Sequence, residues 1–186
     1  MNFDIAIPKS NEKEFAEIAS RLGIKKMDFL YNFEDYKKAE AELNGLKIEA
    51  EKWILANSSN LNQAFSISKN IAAKSSENDR FLIESKKIKI IFGMEEDFHK
   101  DKMHQRNSGF NHILAQLCHD NNVTIGFSYA SLFNKNPGES SLILGRMSQN
   151  LKLCKKYKVK TLFGCFSSNP YDLRSRHDVG SFVKLL

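Results

Sequence analysis

The sequence predicts an α/β domain in which a mostly parallel sheet forms a small or incomplete barrel. Short apolar runs with the two-residue period of strands alternate along the chain with segments of helical period, and no run of hairpins interrupts them. Such alternation is typical of parallel sheets whose strands are joined by helices. About seven strand–helix units are present, and none opens with the glycine-rich turn of a doubly wound nucleotide-binding sheet, which favours the barrel. We expect residues 1–186 to form a single domain.

Each element is predicted from its own local pattern. Strands are expected where β-branched and aromatic residues dominate or alternate with smaller ones, at residues 3–7, 27–31, 53–56, 71–73, 88–92, 123–127 and 159–166. Helices are expected where a capping residue precedes an apolar stripe. They run from Ser10 or Asn11 to Leu22, over 34–43, 60–67 and 78–84, through a central helix after Arg106, along a long helix opened by Ser140, and through a last helix ending at Leu186. The charged segment 95–105 has no clean period and predicts an exposed, poorly ordered loop.

The stretch from Arg106 to Ser128 combines a polar loop, an amphipathic helix and a strand. Five apolar residues fall on one helical face, at Phe110, Ile113, Leu114, Leu117 and Cys118. Asn107 or Ser108 is predicted to cap this helix. A guanidinium beside free helical N–H groups favours an anion, so the loop of Arg106, Asn107, Ser108 and Gly109 is a candidate anion site.

Charge is distributed unevenly along the chain, whose net charge is +6. Residues 100–186 hold 13 Lys and Arg against 5 Asp and Glu, whereas residues 1–99 hold 15 against 17. The second half therefore favours a polyanionic partner, although a solvated basic surface without a partner has the same composition. Within it, Lys152, Lys155, Lys156 and Lys158 crowd the end of the long helix.

Composition and motifs exclude several classes of protein. No apolar run is long enough for a membrane span, and no signal peptide is recognisable. The three cysteines, Cys118, Cys154 and Cys165, lie in apolar segments, which predicts buried reduced thiols and a cytoplasmic protein. Motifs for nucleotide binding, for a serine nucleophile and for zinc hydrolysis are all missing. Of the five histidines only His99 and His104 are close in sequence, which supports metal binding only weakly.

Four arginines are predicted to share the face formed by the loops that follow the strands. These are Arg80, Arg106, Arg174 and Arg176, each near the start of a helix. Arg suits phosphate because its planar group donates two hydrogen bonds at once. Ion pairing within the protein is the alternative, with Asp172 near Arg174 and Asp178 near Arg176. His112 is expected to be a helix-end or solvated residue rather than an acid–base group.

Three segments resemble ribonuclease P protein component 3. The first is His104-Gln105-Arg106-Asn107-Ser108-Gly109 and its continuation to Ser128. The second joins Asn150-Leu151-Lys152-Leu153 to Lys156-Tyr157-Lys158-Val159, and the third is Pro170-Tyr171-Asp172-Leu173-Arg174-Ser175. Arg80 matches an arginine at the start of the family's short helix before strand five. The resemblance is specific over residues 80–186 and general over 1–79.

The resemblance implies a TIM-barrel-like fold and a place in the archaeal and eukaryal ribonuclease P ribonucleoprotein. It implies that the RNA is the catalyst and binds Mg²⁺, with no cofactor, metal or catalytic residue on this chain. It further implies ribonuclease P RNA, precursor tRNA, component 2 and other protein subunits as partners. The family is distantly related to metal-dependent phosphoesterases with an H-x-H first strand, where this chain has Asp4-Ile5-Ala6-Ile7. The chain is short for the family.

Two hypotheses follow for the function. The first is a subunit that assists the RNA in removing 5′ leaders from precursor tRNA. Its expected RNA contacts are Arg80, Arg106, Asn107, Lys152, Lys155, Lys156, Lys158, Arg174 and Arg176. The second is a metal-dependent phosphoesterase that uses the same rim.

Overall fold

Seven parallel strands form one sheet in which spatial order follows sequence order. The computed structural model describes residues 3–39, 43, 45–96, 101, 103, 106–133 and 135–186. The strands are β1 (Phe3–Ala6), β2 (Lys26–Tyr31), β3 (Glu49–Ala56), β4 (Ile71–Lys74), β5 (Ile90–Phe92), β6 (Thr124–Ser128) and β7 (Thr161–Gly164). Each strand pairs in parallel with the next, from Phe3 beside Lys26 to Ser128 beside Gly164.

The two edge strands meet and nearly close the sheet into a barrel. Phe166 N donates to Ile5 O at 2.8 Å, and Ile7 N donates to Ser167 O at 3.0 Å. The Asp4 carboxylate adds a side-chain bridge, because it accepts from Cys165 N at 2.8 Å and from the Tyr129 hydroxyl at 2.6 Å. Burial raises the pKa of Asp4, and the hydrogen bonds from Tyr129, Cys165 and Ile5 oppose the rise. The predicted TIM-barrel-like α/β fold is confirmed.

Helices cover the outside of this barrel. They are α1 (Glu12–Arg21), α2 (Phe33–Tyr36), α3 (Leu61–Ile67), α4 (Asp79–Glu84), α5 (His112–Asp120), α6 (Pro137–Tyr157) and α7 (Arg176–Leu185). One apolar cluster fills the barrel interior, from Ile5 and Leu30 to the stacked rings of Phe92 and Phe166. A larger cluster lies between the strands and the helices, and it includes the predicted α6 stripe of Ile143, Met147, Leu151 and Cys154.

The two ends of the barrel differ in what they carry. We call the end formed by the segments after the strands the carboxyl face, and the end formed by the segments before the strands the amino face. Because helices run between the two ends, the start of each β–α connection lies on the carboxyl face and the end of each helix approaches the amino face. The predicted basic residues are divided between these two faces.

Several predicted boundaries were wrong. Asn111 caps α5, where its Oδ1 accepts from Leu114 N at 2.9 Å, so the helix begins at His112 and not after Asn107 or Ser108. Asn136 and Pro137 start α6 before Ser140, because proline suits the first helical position. The last helix begins at Arg176, and α2 ends at Tyr36 instead of at residue 43. Residues 40–42 of the predicted 34–43 helix are outside the described part of the chain.

The predicted exposed loop at 95–105 was wrong at Glu95, Glu96 and Asp101, whereas Met103 is exposed as predicted. Met94–Glu96 is a short 3-10 helix, and the Glu95 side chain is completely buried. Asp101 forms an ion pair with a buried arginine. Residues 97–100, 102, 104 and 105, which include His99 and His104, are outside the described residues.

Candidate functional site

The loop of Arg106, Asn107, Ser108 and Gly109 lies against helix α6. Helix α5 begins only at His112, so five residues separate Arg106 from the first helical residue, more than the predicted anion site assumed. Phe110 is buried before the helix, and Ile113 on its first turn is half-exposed. The five-residue stripe therefore anchors both the loop and the helix, and not the helix alone.

A buried arginine holds this loop in place. Arg146 on α6 is 1 % exposed and donates to Asp101 Oδ1 from Nε at 3.0 Å and from Nη2 at 2.8 Å. The same oxygen accepts from Asn107 N at 2.8 Å. Partial burial works to raise the pKa of Asp101, but the hydrogen bonds from Arg146 and Asn107 outweigh it and lower that pKa. Asp101 thus links the loop to α6 through one charged oxygen.

The rest of the loop is fixed by polar side chains of α6. Asn150 Nδ2 donates to Ser108 O at 2.9 Å, and Gln149 Nε2 donates to Ser108 Oγ at 3.0 Å. Gly109 has a φ of +68°, and a Cβ there would lie 2.5 Å from Met94 O. Only glycine fits both that backbone angle and that close approach. The family-like RNSG motif is therefore a docking element that attaches a carboxyl-face loop to α6.

Glu95 extends this polar network into the core. Its Oε1 accepts from Ser128 N at 3.3 Å, and its backbone carbonyl accepts from Arg146 Nη1 at 3.4 Å. Its Oε2 has no hydrogen-bond partner among the described residues. Burial raises the pKa of Glu95 to about 7. At neutral pH this side chain is therefore partly protonated.

Arg106 itself packs on the surface of α6. Its Nη1 donates to Gly145 O at 3.3 Å. A Cβ at position 145 would stand 2.9 Å from Arg106 Nε, so the guanidinium rests in the space that glycine leaves. Arg106 is otherwise exposed and remains accessible to solvent from the side away from the helix.

The other three arginines have different hydrogen-bond partners, although Arg174 and Arg176 line one pocket. Arg80 forms an exposed ion pair with Glu84 at 2.8 Å, one helical turn later. Arg174 donates to the carbonyls of Tyr171 and Leu173, and its guanidinium lies 4.3 Å from the centre of the Phe133 ring. Arg176 donates to Phe3 O at 2.9 Å, at the amino end of β1.

The predicted rim of four arginines is therefore wrong for one of them. Arg80 and Arg106 lie on the carboxyl-face side, whereas Arg176 reaches the start of β1 and lines one pocket with Arg174 and Phe3. The predicted local ion pairs of the last loop are absent from the described residues: Asp172 accepts from Ser167 Oγ at 2.6 Å, and Asp178 accepts from Ser175 Oγ at 2.7 Å. Both arginines instead donate to backbone carbonyls.

The four predicted lysines lie at the opposite end of the molecule. Lys152, Lys155 and Lys156 are exposed on the last turns of α6, and Lys158 ends the helix with a φ of +56°. His119 Nδ1 lies 3.2 Å from Lys158 O, which joins the ends of α5 and α6 at the amino face. The structure thus separates the predicted RNA contacts into a carboxyl-face group and an amino-face group.

Sequence reasoning missed the residues that organise the loop. Arg146 and Asn150 stand four residues apart on α6, on the face that also carries Met147 and Leu151. These two polar side chains lie within an apolar stripe, and that position could have indicated buried hydrogen bonds, because buried polar groups almost always have partners. Their partners Asp101 and Ser108 are about 40 positions away in sequence, which no local pattern reports.

Other predicted features can be placed briefly. Cys118, Cys154 and Cys165 are buried free thiols, and burial raises the pKa of each to about 12. His112 is an exposed residue on the first turn of α5. Across the described ranges, no group of three or more His, Cys, Asp and Glu side chains is arranged to hold a metal ion. In the same ranges, no helix has the length and apolar character of a membrane span.

Comparison with curated proteins confirms the resemblance to ribonuclease P protein component 3. The protein of that name from Methanocaldococcus jannaschii is 30 % identical over 82 residues, which are 44 % of this chain and 35 % of the relative. The one from Thermococcus kodakarensis is 32 % identical over 77 residues, 41 % of this chain and 35 % of the relative. The one from Methanococcus maripaludis strain C5 is 27 % identical over 113 residues, 58 % and 49 % of the two chains. The first of these matches spans about a third of the relative's length.

Comparison with solved structures extends the likeness to the whole barrel. A chain in a cryo-EM structure of archaeal ribonuclease P with mature tRNA superposes with a TM-score of 0.76, over 99 % of this chain and 82 % of that chain, at 22 % identity. No protein-family model matches the sequence.

Proposed function

We propose that this chain is a protein subunit of a ribonuclease P ribonucleoprotein, which assists the RNA in removing 5′ leaders from precursor tRNA. The observation that carries the proposal is the superposition of nearly the entire chain on one from archaeal ribonuclease P, joined to the sequence similarity to component 3 proteins. The fold alone does not fix a function, because barrels of this kind support many activities. The two likenesses point to the same assembly, and this agreement is the support.

In this proposal the RNA carries out cleavage and binds the Mg²⁺, and this chain contributes surface and shape. Its partners are the ribonuclease P RNA, precursor tRNA, component 2 and the remaining protein subunits. The protein acts in the cytoplasm and carries no cofactor of its own. Exposed arginines and lysines at both ends of the barrel would neutralise phosphates and release the counterions condensed on RNA.

The docked RNSG loop gives this proposal a physical basis on the carboxyl face. Asp101, Arg146 and Asn150 hold the loop through hydrogen bonds of 2.8 to 2.9 Å. A surface that is already ordered loses little conformational entropy when it binds. Arg106 and Asn107 would therefore meet the RNA in a fixed position.

A metal-dependent phosphoesterase is the alternative function, and one experiment separates the two. Purified protein is analysed for bound Zn, Mn and Fe, and is then assayed with bis(p-nitrophenyl) phosphate in the absence of RNA. Under the proposal, hydrolysis stays at the background rate with any added metal. Stoichiometric metal together with RNA-independent hydrolysis would overturn the proposal.

A further inference from the structure

Lysines concentrate in the connections that lead into three of the last four strands, β4, β5 and β7. Exposed lysines precede β4 at Lys69, β5 at Lys86 and Lys89, and β7 at Lys155, Lys156, Lys158 and Lys160. Lys87, which is half-buried, belongs to the same group. We call these eight residues the amino-face strip. Only Lys155, Lys156 and Lys158 of the strip stood out in the sequence, because the rest are spread over three separate connections.

Backbone hydrogen bonds show that the parts of the strip adjoin. Thr124 N donates to Lys89 O at 2.9 Å, and Ile125 N donates to Lys160 O at 2.9 Å. Lys89 and Lys160 therefore flank the first residues of β6 on either side, two strand spacings or about 10 Å apart. The lysines before β5 and those before β7 thus form one surface across the amino end of β6.

Neighbouring side chains hold several of these lysines over the surface. The ammonium groups of Lys69 and Lys87 lie 3.3 and 5.7 Å from the centre of the same ring, Phe65. Lys89 Nζ donates to Asn70 Oδ1 at 2.7 Å. These partners are neutral, so they orient the ammonium groups and leave their charge uncompensated.

The nearby carboxylates are few or already engaged. Glu84 pairs with Arg80, and Asp120 accepts from Gln116 Nε2 at 2.8 Å. The other half of the amino face is different, because Lys26 there contacts Glu51 at 2.6 Å and Glu49 at 3.7 Å. Lys26 is thus compensated by carboxylates, whereas the lysines of the strip described above have neutral partners.

We propose that the amino-face strip binds the phosphodiester backbone of RNA, as a second contact surface at the end of the barrel opposite Arg106. This inference rests on the proposed function and adds the location of the contact. Lys is a hydrated point charge that contacts phosphate without a fixed geometry. The strip should therefore bind the phosphate backbone of RNA without selecting a base sequence. A partner with closely spaced negative charges matches a surface on which lysines of neighbouring connections have backbones about 10 Å apart.

The test compares two variants of equal charge. The strip variant carries Lys86→Gln, Lys89→Gln, Lys155→Gln and Lys160→Gln. The control variant carries Lys9→Gln, Lys13→Gln, Lys38→Gln and Lys135→Gln, which are exposed residues away from the strip. Both lose four positive charges, so any difference between them reports position. Binding to a mixed-sequence RNA duplex and to a transcribed archaeal ribonuclease P RNA is measured against KCl concentration, after thermal unfolding has confirmed that both variants are folded.

The strip variant should flatten the slope of log K against log salt by about three to four units with either RNA, because each of the four lost phosphate contacts contributes about 0.7 to 0.9. The control variant should change it by less than about one unit. Equal flattening of the slope in the two variants, or a wild-type chain that binds neither RNA, would contradict RNA binding by the amino-face strip. A strip variant that keeps RNA binding but loses binding to phosphatidylserine vesicles would also overturn it.

Cleavage assays keep this inference separate from the proposed function. If the wild-type chain stimulates precursor-tRNA cleavage and both variants do so equally at all salt concentrations, RNA binding by the amino-face strip is contradicted. The proposed function is then still supported. If the amino-face strip binds RNA as predicted while the chain has no effect on cleavage, the inference about the strip is supported and the proposed function is wrong.

Discussion

Arg146 donates two hydrogen bonds to a single carboxylate oxygen of Asp101, from Nε at 3.0 Å and from Nη2 at 2.8 Å. The two residues are 45 positions apart, and the pair joins the segment after β5 to helix α6. Because Asn107 N donates to the same oxygen, the carboxylate determines where the RNSG loop begins. The order of the carboxyl face therefore depends on a charged pair within the protein.

Arg146→Met should lower the free energy of unfolding by about 3 kcal/mol, because it removes one partner of a largely buried ion pair. Urea denaturation followed by circular dichroism measures this change. The matched control is Arg80→Met, which breaks an exposed pair with Glu84 and should cost less than about 0.5 kcal/mol. Equal costs for the two substitutions would show that the buried pair does not organise the loop.

Glu95 should make the stability of the protein depend on pH. Burial raises the pKa of its carboxyl from 4.5 to about 7, so between these values the folded chain holds a proton that the unfolded chain has released. Stability from this group is therefore present at low pH and is lost as pH rises towards 7. The free energy of unfolding of Glu95→Gln, relative to that of the wild type, should therefore be higher at about pH 8 than at about pH 5 by roughly 3 kcal/mol.

Urea denaturation of both proteins across this pH range measures the difference. Asp28, whose pKa burial also raises to about 7, is common to both proteins and cancels in the comparison. Parallel stability curves for the wild type and Glu95→Gln would contradict the assignment of a protonated carboxyl at this position.

Gly145 and Arg106 should show energetic coupling. In an exposed helix, Gly→Ala stabilises by up to about 1 kcal/mol, and Gly180→Ala should show this gain because nothing lies within 4 Å of the new Cβ. Gly145→Ala should gain less, because its Cβ displaces the Arg106 guanidinium. In an Arg106→Ala background the two glycine substitutions should give similar gains. A Gly145→Ala gain that is the same in both backgrounds would show that Arg106 does not rest on α6.

Arg106→Ala should leave the fold intact and weaken RNA binding about tenfold, which corresponds to about 1.4 kcal/mol for one lost charge-assisted contact. Filter binding with a transcribed archaeal ribonuclease P RNA measures the affinity, and thermal unfolding reports the fold. A drop of many degrees in Tm with unchanged affinity in the folded protein would make Arg106 a purely structural residue.

Much of the fold followed from local patterns, and most of the site did not. The strands and the α6 stripe repeat at fixed periods, which the chain shows directly. The start of α5 was misplaced because Phe110 has the spacing of the helical stripe but is buried in the loop before the helix. Glu95 was expected in an exposed loop because a charged run gives no sign that one carboxylate turns into the core.

The amino-face strip shows the same limit at a larger scale. Lys155 and Lys156 stood out because they are adjacent in sequence, whereas Lys69, Lys89 and Lys160 belong to different connections. Only the parallel order of the strands brings those connections to one end of the barrel. Conversely, Arg176 was assigned to the carboxyl face by its position in the chain, but its side chain reaches back to Phe3.

Reconstituted cleavage of precursor tRNA is the most direct test of whether this chain is a subunit of ribonuclease P. Ribonuclease P RNA and component 2 from the same source are assembled with increasing amounts of this chain, and release of the 5′ leader is measured at limiting Mg²⁺. We expect the cleavage rate to rise as the chain is added and to reach a plateau at a fixed ratio of chain to RNA. A rate that does not change at any ratio, with the chain shown to be folded, would contradict it.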